Sequence, residues 1–510
     1  MFTKSKDEQA QLINMPKFYI TTAILYTNGS PHIGFAFELL LADVLARFHR
    51  LKGDDTFFLT GTDEHGSTVA KAAVRHNIEL QKFVDGLAEQ AKDLTKKLNI
   101  SNDDFIRTSD QERHWPSAIK LWKILADKSD LYKKKYKGLY CIGHESFIKK
   151  ADLVNGLCPL HQTEPEAIEE ENWFFKLSNY KKEIKKKVES DEIKIVPASR
   201  KNEILHVIED AEDISVSRPT SALKWGIPVP GDPDQVIWVW LDALPNYISA
   251  LGYAQGDARF NKFWPADIHL VGKDIVRFHA LIWPAILISA GLELPKSIYV
   301  HGFINVDGQK MSKTIGNVID PFKVVDKYGV DVVRYFLLRE IPSGEDGDFS
   351  EKKLEERYNG DLANGLGNLV QRTITLIDTK LNGELIYKHD LVEKKVKEKV
   401  EAIFKDYVKN IDNFLLHEAL AKVWELISFG DKYLDERAPW KAIKHDEAEF
   451  LAIMNNIFYI LYNIAWMLTP FMPETANKIF ETMGADREAK SLDNYKFLVL
   501  KGEGLFPRLK

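Results

Sequence analysis

Residues 20–36 read as a strand that stops at a turn and feeds a helix. The stretch opens on apolar and β-branched residues, as a strand buried in a parallel sheet does. It breaks at Asn28, Gly29, Ser30 and Pro31, a turn cluster. A helix is expected over 35–50, with Leu39, Leu40, Ala42, Val44, Leu45 and Phe48 on its apolar face. The start of that helix carries His32 and Gly34. Unpaired N–H groups and the positive end of the helix dipole suit a phosphate there. Gly34 has no Cβ to hold a flat ligand off the backbone, and His32 can donate a hydrogen bond to a phosphate oxygen. Taken alone, these residues also fit a plain strand–turn–helix with an exposed histidine.

A second basic feature lies far downstream. Residues 308–317 form a Gly-flanked loop holding Lys310 and Lys313, directly after the apolar run 297–304. Two lysines on such a loop can close over a polyphosphate and offset its charge as a transition state forms. A third segment, 55–66, runs from apolar residues into an acidic tip with Asp63 and His65, then a helix from Ser67. In an open α/β sheet, ligands sit beyond the carboxyl ends of the strands, where Asp63 and His65 belong.

The 510 residues are too many for one core, so several domains are expected. A formal charge of −6 means that a nucleic-acid partner has to meet local basic patches. Only two cysteines occur, which argues against a disulfide-stapled secreted protein and for a reducing, cytoplasmic setting. The N-terminus shows no signal peptide; residues 1–15 read as a loose polar extension. The most apolar run, 280–290, is short and contains Pro284, so it reads as a core helix and not a membrane span.

Within 136–215 the texture changes to β-like pieces and a lysine-rich helix over 181–187, read as a domain inserted into the sheet. Both cysteines fall here, in Cys141 with His144 and Cys158 with His161. Each pair has the short reach of a knuckle, and the four side chains suit a tetrahedral Zn2+. Two buried thiols with two surface histidines are the plainer alternative. The sheet resumes over 235–247, where Trp240, Ala243 and Tyr247 can share one side of an early helix. A further strand ends at Gly272 and leads into a helix with Asp274, Phe278 and His279. From about 331 the strands stop, and amphipathic helices are expected over 362–380, 392–410, 415–434 and 450–467, a bundle. Trp440 sits where a helix ends near basic residues; it can stack on an unpaired base or simply cap the bundle.

The segments with His32 and with Lys310 and Lys313 resemble the paired signatures of class I aminoacyl-tRNA synthetases, His-Ile-Gly-His and Lys-Met-Ser-Lys-Ser. With the blocks at 26–32, 61–66, 272–279, 301–303 and 436–440, the chain resembles the methionyl-tRNA synthetase family from about residue 16 onward. The resemblance implies an α/β fold: a Rossmann-type catalytic domain (16–135 and 216–325) split by a connective-peptide insertion (136–215), a stem-contact linker (326–355) and an all-α anticodon-binding bundle (356–510). It implies that methionine is activated by ATP, with Mg2+, to methionyl-adenylate and passed to tRNA(Met), the initiator tRNA included.

By the same resemblance, His32, Lys310 and Lys313 act on the phosphates, and Gly34, Gly272 and Asp274 lie near ATP. Asp63 holds the methionine ammonium. Ile24, Tyr26, Trp240, Ala243, Tyr247, Ile275 and His279 wall the side chain, and Asn368, Arg372 and Trp440 meet the anticodon. The chain departs from the family pattern at Phe35, in place of the second signature histidine, at Thr314, in place of the final serine, and at His144, where the knuckle often has cysteine. The chain ends soon after the bundle, without the family's optional C-terminal RNA-binding domain, so a monomer is expected. The insertion is too short for the editing domain of the leucine, isoleucine and valine enzymes. A non-catalytic RNA-binding paralogue is the alternative that Phe35 favours and His32, Asp63, Lys310 and Lys313 oppose.

Overall fold

A computed structural model of the chain describes residues 15–143, 145–159, 162–311, 316–486, 495–500, 502 and 504–509. His144, His161, Lys313 and Thr314 lie outside these residues, as does nearly all of the N-terminal extension. The chain divides into two compact units, residues 1–303 and 304–510.

The first unit is built on a seven-stranded parallel sheet. Its middle strand, β1 (Lys17–Thr22), comes straight from the opening segment, and β2 (Leu25–Tyr26) continues its line. The helix α1 (Ile33–Leu51) leads to β3 (Asp55–Asp63), parallel to β1 with Thr21 opposite Leu59. β4 (Asp104–Arg107) lies beyond β3. On the other side stand β5 (Lys194–Val196), β6 (Ile268–Gly272) and β7 (Ser297–His301): β6 pairs with β1, β7 with β6, and β5 with β7 at the edge. β5 comes from inside the span read as an insertion, because its hydrogen bonds go to β7 and not to the insertion's own strands. The chain leaves β1 toward β3 on one side and returns beside it as β6 on the other. Strand order therefore reverses at the carboxyl end of β1, the place where such sheets hold ligands.

One apolar face was expected for α1, yet it is buried on almost every side, with Glu38 and Asp43 as well as its leucines. A central helix covered by further layers has little wet face left. The insertion proper is a four-stranded antiparallel sheet, ordered Ser146–Ile148, Leu131–Cys141, Glu166–Phe175 and Ile214–Ser215. Its lysine-rich helix, Lys181–Glu189, buries Ile184 and Val188 and turns its charges outward, Lys185 pairing with Glu209.

In the second unit, Ile304–Val306 and Gln309–Lys310 form a hairpin, with Ile304–Val306 also parallel to Gly347–Phe349. These hydrogen bonds tie the lysine loop to the chain that follows it, although the sequence reading grouped it with the second half of the catalytic domain, 216–325. Helices Asn368–Lys380, Lys394–Asp412, Leu416–Arg437, Glu447–Leu468 and Pro473–Met483 make the bundle. Among the described residues, Glu447–Leu468 alone is long and apolar enough to cross a membrane; it packs against the other four and buries residues along its whole length.

Candidate active site

The turn that ends β2 places His32 as the N-cap of α1. Its Nδ1 accepts a hydrogen bond from the Gly34 N–H at 3.1 Å. In the neutral ring the proton therefore sits on Nε2, which makes that nitrogen a donor. Phe35 is only 6% exposed and packs into the core.

Behind this helix start, Glu38 clamps the ends of two strands. Its Oε1 accepts from the Ala23 N–H at 2.6 Å and its Oε2 lies 3.0 Å from His301 Nε2. Burial alone would lower the His301 imidazolium, but Glu38 outweighs it and holds the histidine above its usual value. At the end of β6, a Cβ on Gly272 would stand 2.7 Å from Asp274 Oδ1, so the glycine leaves that carboxylate room to fold back over the strand end.

Next to β1, several aromatic side chains pack together. Tyr26 on β2 stands opposite Asp63 on β3. Trp240 stacks on Phe278 at 3.6 Å and 7°. Tyr247 Oη donates to His279 Nε2 at 2.7 Å, while His279 Nδ1 donates to the Ile275 carbonyl at 3.0 Å. Burial pushes His279 down to about 4, so the ring is neutral and its Nε2 is an acceptor. The Phe278–Ile282 segment is one π-helical turn, a wide turn of the kind common at functional sites. Ile24, Tyr26, Trp240 and Ile275 are half-buried against the same core, and Ala243 is buried one turn beyond Trp240.

Asp63 is the carboxyl group opposite Tyr26. It is 6% exposed, and its Oδ1 is buried with no hydrogen-bond partner among the described residues. Burial, and then the charge of Asp242, push its carboxyl well above the usual carboxylate range. Asp242 behaves oppositely. Burial would raise it, but His65 at 2.5 Å and His114 at 3.0 Å outweigh that and hold it below its usual value. His65, placed by the sequence at the ligand end of the strand, instead turns inward to Asp242. The sequence reading missed Glu38, Asp242 and His114. Glu38 and Asp242 stand inside apolar runs and His114 follows a polar stretch, and the burial of all three depends on partners far away in the chain.

A family model described as "tRNA synthetases class I (M)" matches residues 18–165 and 148–374, and one for the anticodon binding domain of methionyl tRNA ligase matches 388–504. The methionine–tRNA ligase of Caldanaerobacter subterraneus is 43% identical over 96% of this chain and 79% of its own length. That of Thermotoga maritima is 42% identical over 97% and 80%. The chain belongs to the methionyl-tRNA synthetase family. Mycobacterium tuberculosis methionyl-tRNA synthetase, solved with methionyl-adenylate, superposes with a TM-score of 0.92 at 36% identity, covering 97% of this chain and 100% of that one. This synthetase is thus an ATP-dependent aminoacyl-tRNA ligase, activating methionine as the adenylate and transferring it to tRNA(Met).

In the second unit of the synthetase, Lys310 lies on the described hairpin, opposite Asn305. Asn368 opens its helix, exposed, and Arg372 follows one turn later. The Arg372 guanidinium lies 5.6 Å from the Trp440 ring centre and pairs with Asp435 at 2.6 Å. Trp440 is 40% exposed, so its indole offers a platform and is not a buried cap. In the insertion, Cys141 and Cys158 are both buried. Two buried thiols can supply half of a tetrahedral ligand set; among the described residues no group of three or more metal-binding side chains comes together, and His144 and His161 lie outside them.

Proposed function

We propose a division of labour among these residues. The observation that carries it is the buried Asp63 Oδ1, without a hydrogen-bond partner among the described residues, at the strand-order reversal and opposite Tyr26; on this proposal the aromatic side chains nearby wall a methionine hollow. A methionine ammonium supplies the missing partner. Tyr26, Trp240, Tyr247 and His279, with Ile24, Ala243 and Ile275, wall the thioether, which favours polarizable and aromatic contacts. The methionine carboxylate attacks the α-phosphate of ATP and pyrophosphate leaves. His32 Nε2 donates to a phosphate oxygen at the positive end of α1, and Lys310 and Lys313 offset charge developing on the phosphates. Gly34, Gly272 and Asp274 accommodate the nucleotide, and Mg2+ accompanies ATP as its counter-ion. In the second step a terminal tRNA hydroxyl takes the methionyl group and AMP leaves. Neither step needs a protein nucleophile; positioning and charge do the work.

Methionine-dependent ATP–pyrophosphate exchange tests this reading: exchange with methionine is expected, and exchange with leucine alone, or none at all, overturns it. Asn368, Arg372 and Trp440 are assigned to the CAU anticodon, with Trp440 stacking on a base. Trp440→Ala is expected to weaken tRNA charging by roughly tenfold in kcat/KM, as loss of one base stack does, while exchange is unchanged. An equal loss in both assays would mean that the tryptophan supports the fold instead.

Cys141, His144, Cys158 and His161 are assigned to a structural Zn2+, which would brace the turns of the insertion and take no part in the chemistry. Metal analysis of purified protein is expected to find about one zinc per chain; a content far below that removes the assignment. The synthetase is assigned to the cytoplasm and to a monomeric state, the latter testable by light scattering.

A further inference from the structure

The insertion reaches two walls of the methionine hollow, and one carboxylate makes most of the connection. Glu145 follows the strand Leu131–Cys141, in a left-handed turn with φ of 50°, and is 4% exposed. Its Oε1 accepts from Tyr26 Oη at 2.9 Å, Ser67 Oγ at 2.9 Å, Thr68 N–H at 2.8 Å and Thr68 Oγ1 at 2.9 Å. Its Oε2 accepts from Ser67 Oγ at 2.8 Å and Tyr140 Oη at 3.1 Å. Its backbone carbonyl accepts from Trp238 Nε1 at 2.5 Å.

Ser67 and Thr68 open the helix Ser67–His76, whose own N-cap, Gly66, has no side chain to offer. Glu145 therefore caps that helix from another element, where a carboxylate is favoured. The same oxygen seats Tyr26. Gly66 completes the seat, since a Cβ there would lie 2.4 Å from Tyr26 Oη. The ring packs against two apolar clusters, and Glu145 adds the hydrogen bond that fixes its hydroxyl end. A second strut runs in parallel: Arg277 donates to Ser146 Oγ at 3.2 Å and lies 4.7 Å from the centre of the Phe278 ring, on which Trp240 stacks.

We propose that Glu145 is a positioning residue for methionine binding, holding the Tyr26 ring in place as a wall of the hollow. This rests on the reading that Tyr26 lines that hollow. Glu145 touches no substrate, so its loss shows in methionine affinity and not in the handling of ATP.

The test is calorimetric titration of methionine into the full chain, with ATP KM from exchange as the internal control. Glu145→Ala is expected to raise the methionine Kd by about tenfold, the loss of a hydrogen bond to a charged acceptor, with the ATP KM changed less than about twofold. Glu145→Gln keeps an Oε1 acceptor and is expected to restore most of the affinity. Tyr26→Phe removes the same bond without disturbing the helix cap, so it carries the test should Glu145→Ala fail to fold. The double variant is expected to be no worse than Glu145→Ala, because both changes delete one interaction. Unchanged methionine affinity in Tyr26→Phe, or additive losses in the double variant, overturns the proposal. Tyr26→Ala separates the two claims. If it weakens methionine binding while Tyr26→Phe does not, only the role of Glu145 falls. If it too binds methionine as before, Tyr26 is no wall, and the pocket reading falls with the proposal.

Discussion

Asp63→Asn is expected to cut methionine-dependent pyrophosphate exchange by about a thousandfold, the scale on which removing one partner of a buried ion pair acts. The substitution keeps the shape of the side chain and removes its charge. The ammonium of methionine then enters a buried site with a neutral amide in place of a carboxylate. A loss below about tenfold would instead match a peripheral hydrogen bond and would displace Asp63 from the centre of the site.

If Asp63 holds the ammonium as proposed, it gives methionine binding a pH dependence whose sign follows from its surroundings. In the free pocket, burial and the charge of Asp242 hold the Asp63 carboxyl well above the usual carboxylate range. Methionine binds as the ammonium and favours the ionised carboxyl, so binding lowers that value and releases a proton. Methionine affinity is therefore full above the raised value and falls as pH drops through it. Proton release, measured by calorimetry in buffers of different ionisation enthalpy, is expected in the parent and absent in Asp63→Asn.

The second large effect is expected at His32. His32→Asn keeps a side-chain acceptor for the start of α1, because asparagine is among the best N-caps. It removes the ring nitrogen that reaches outward. The melting temperature is expected to stay close to that of the parent while kcat for exchange falls by roughly a hundredfold or more, the cost of one preorganised donor to a transition-state oxyanion. His32→Ala loses both roles and is expected to add about 1 kcal/mol of destabilisation. If His32→Asn retains full kcat, the histidine is a cap and nothing else.

The opening segment was legible because its logic is local: a β-branched run, a turn cluster and a helix start specify β1, β2 and α1 from neighbouring residues alone. The pairing of Tyr247 with His279 and the inward turn of His65 were not legible. They join residues separated by 32 and 177 positions, and periodicity carries no information at that range. Glu38 was hidden for another reason. It stands in a run of leucines and phenylalanines, and only the convergence of Ala23 and His301, at the ends of β1 and β7 on either side of β6, explains a carboxylate there. Glu145 was hidden by its neighbours: its place beside His144 drew attention to metal ligation, while its carboxylate serves the sheet. Likewise β5 lies inside the insertion's span, and its three residues have no pattern that announces a parallel partner beyond position 296.

The wide turn at Phe278–Ile282 limits how this region can change in length. An ordinary helix spends fewer residues on the same turn, so removing one residue would tighten the coil into regular geometry. The backbone would gain regularity, but Phe278 and His279, which lie within the wide turn, would be redirected. Tyr247 would then lose its histidine and Trp240 its stacking partner. Deletion here exchanges the wide turn for a regular helix at the cost of the two contacts that the turn carries, the Trp240 stack and the Tyr247 hydrogen bond.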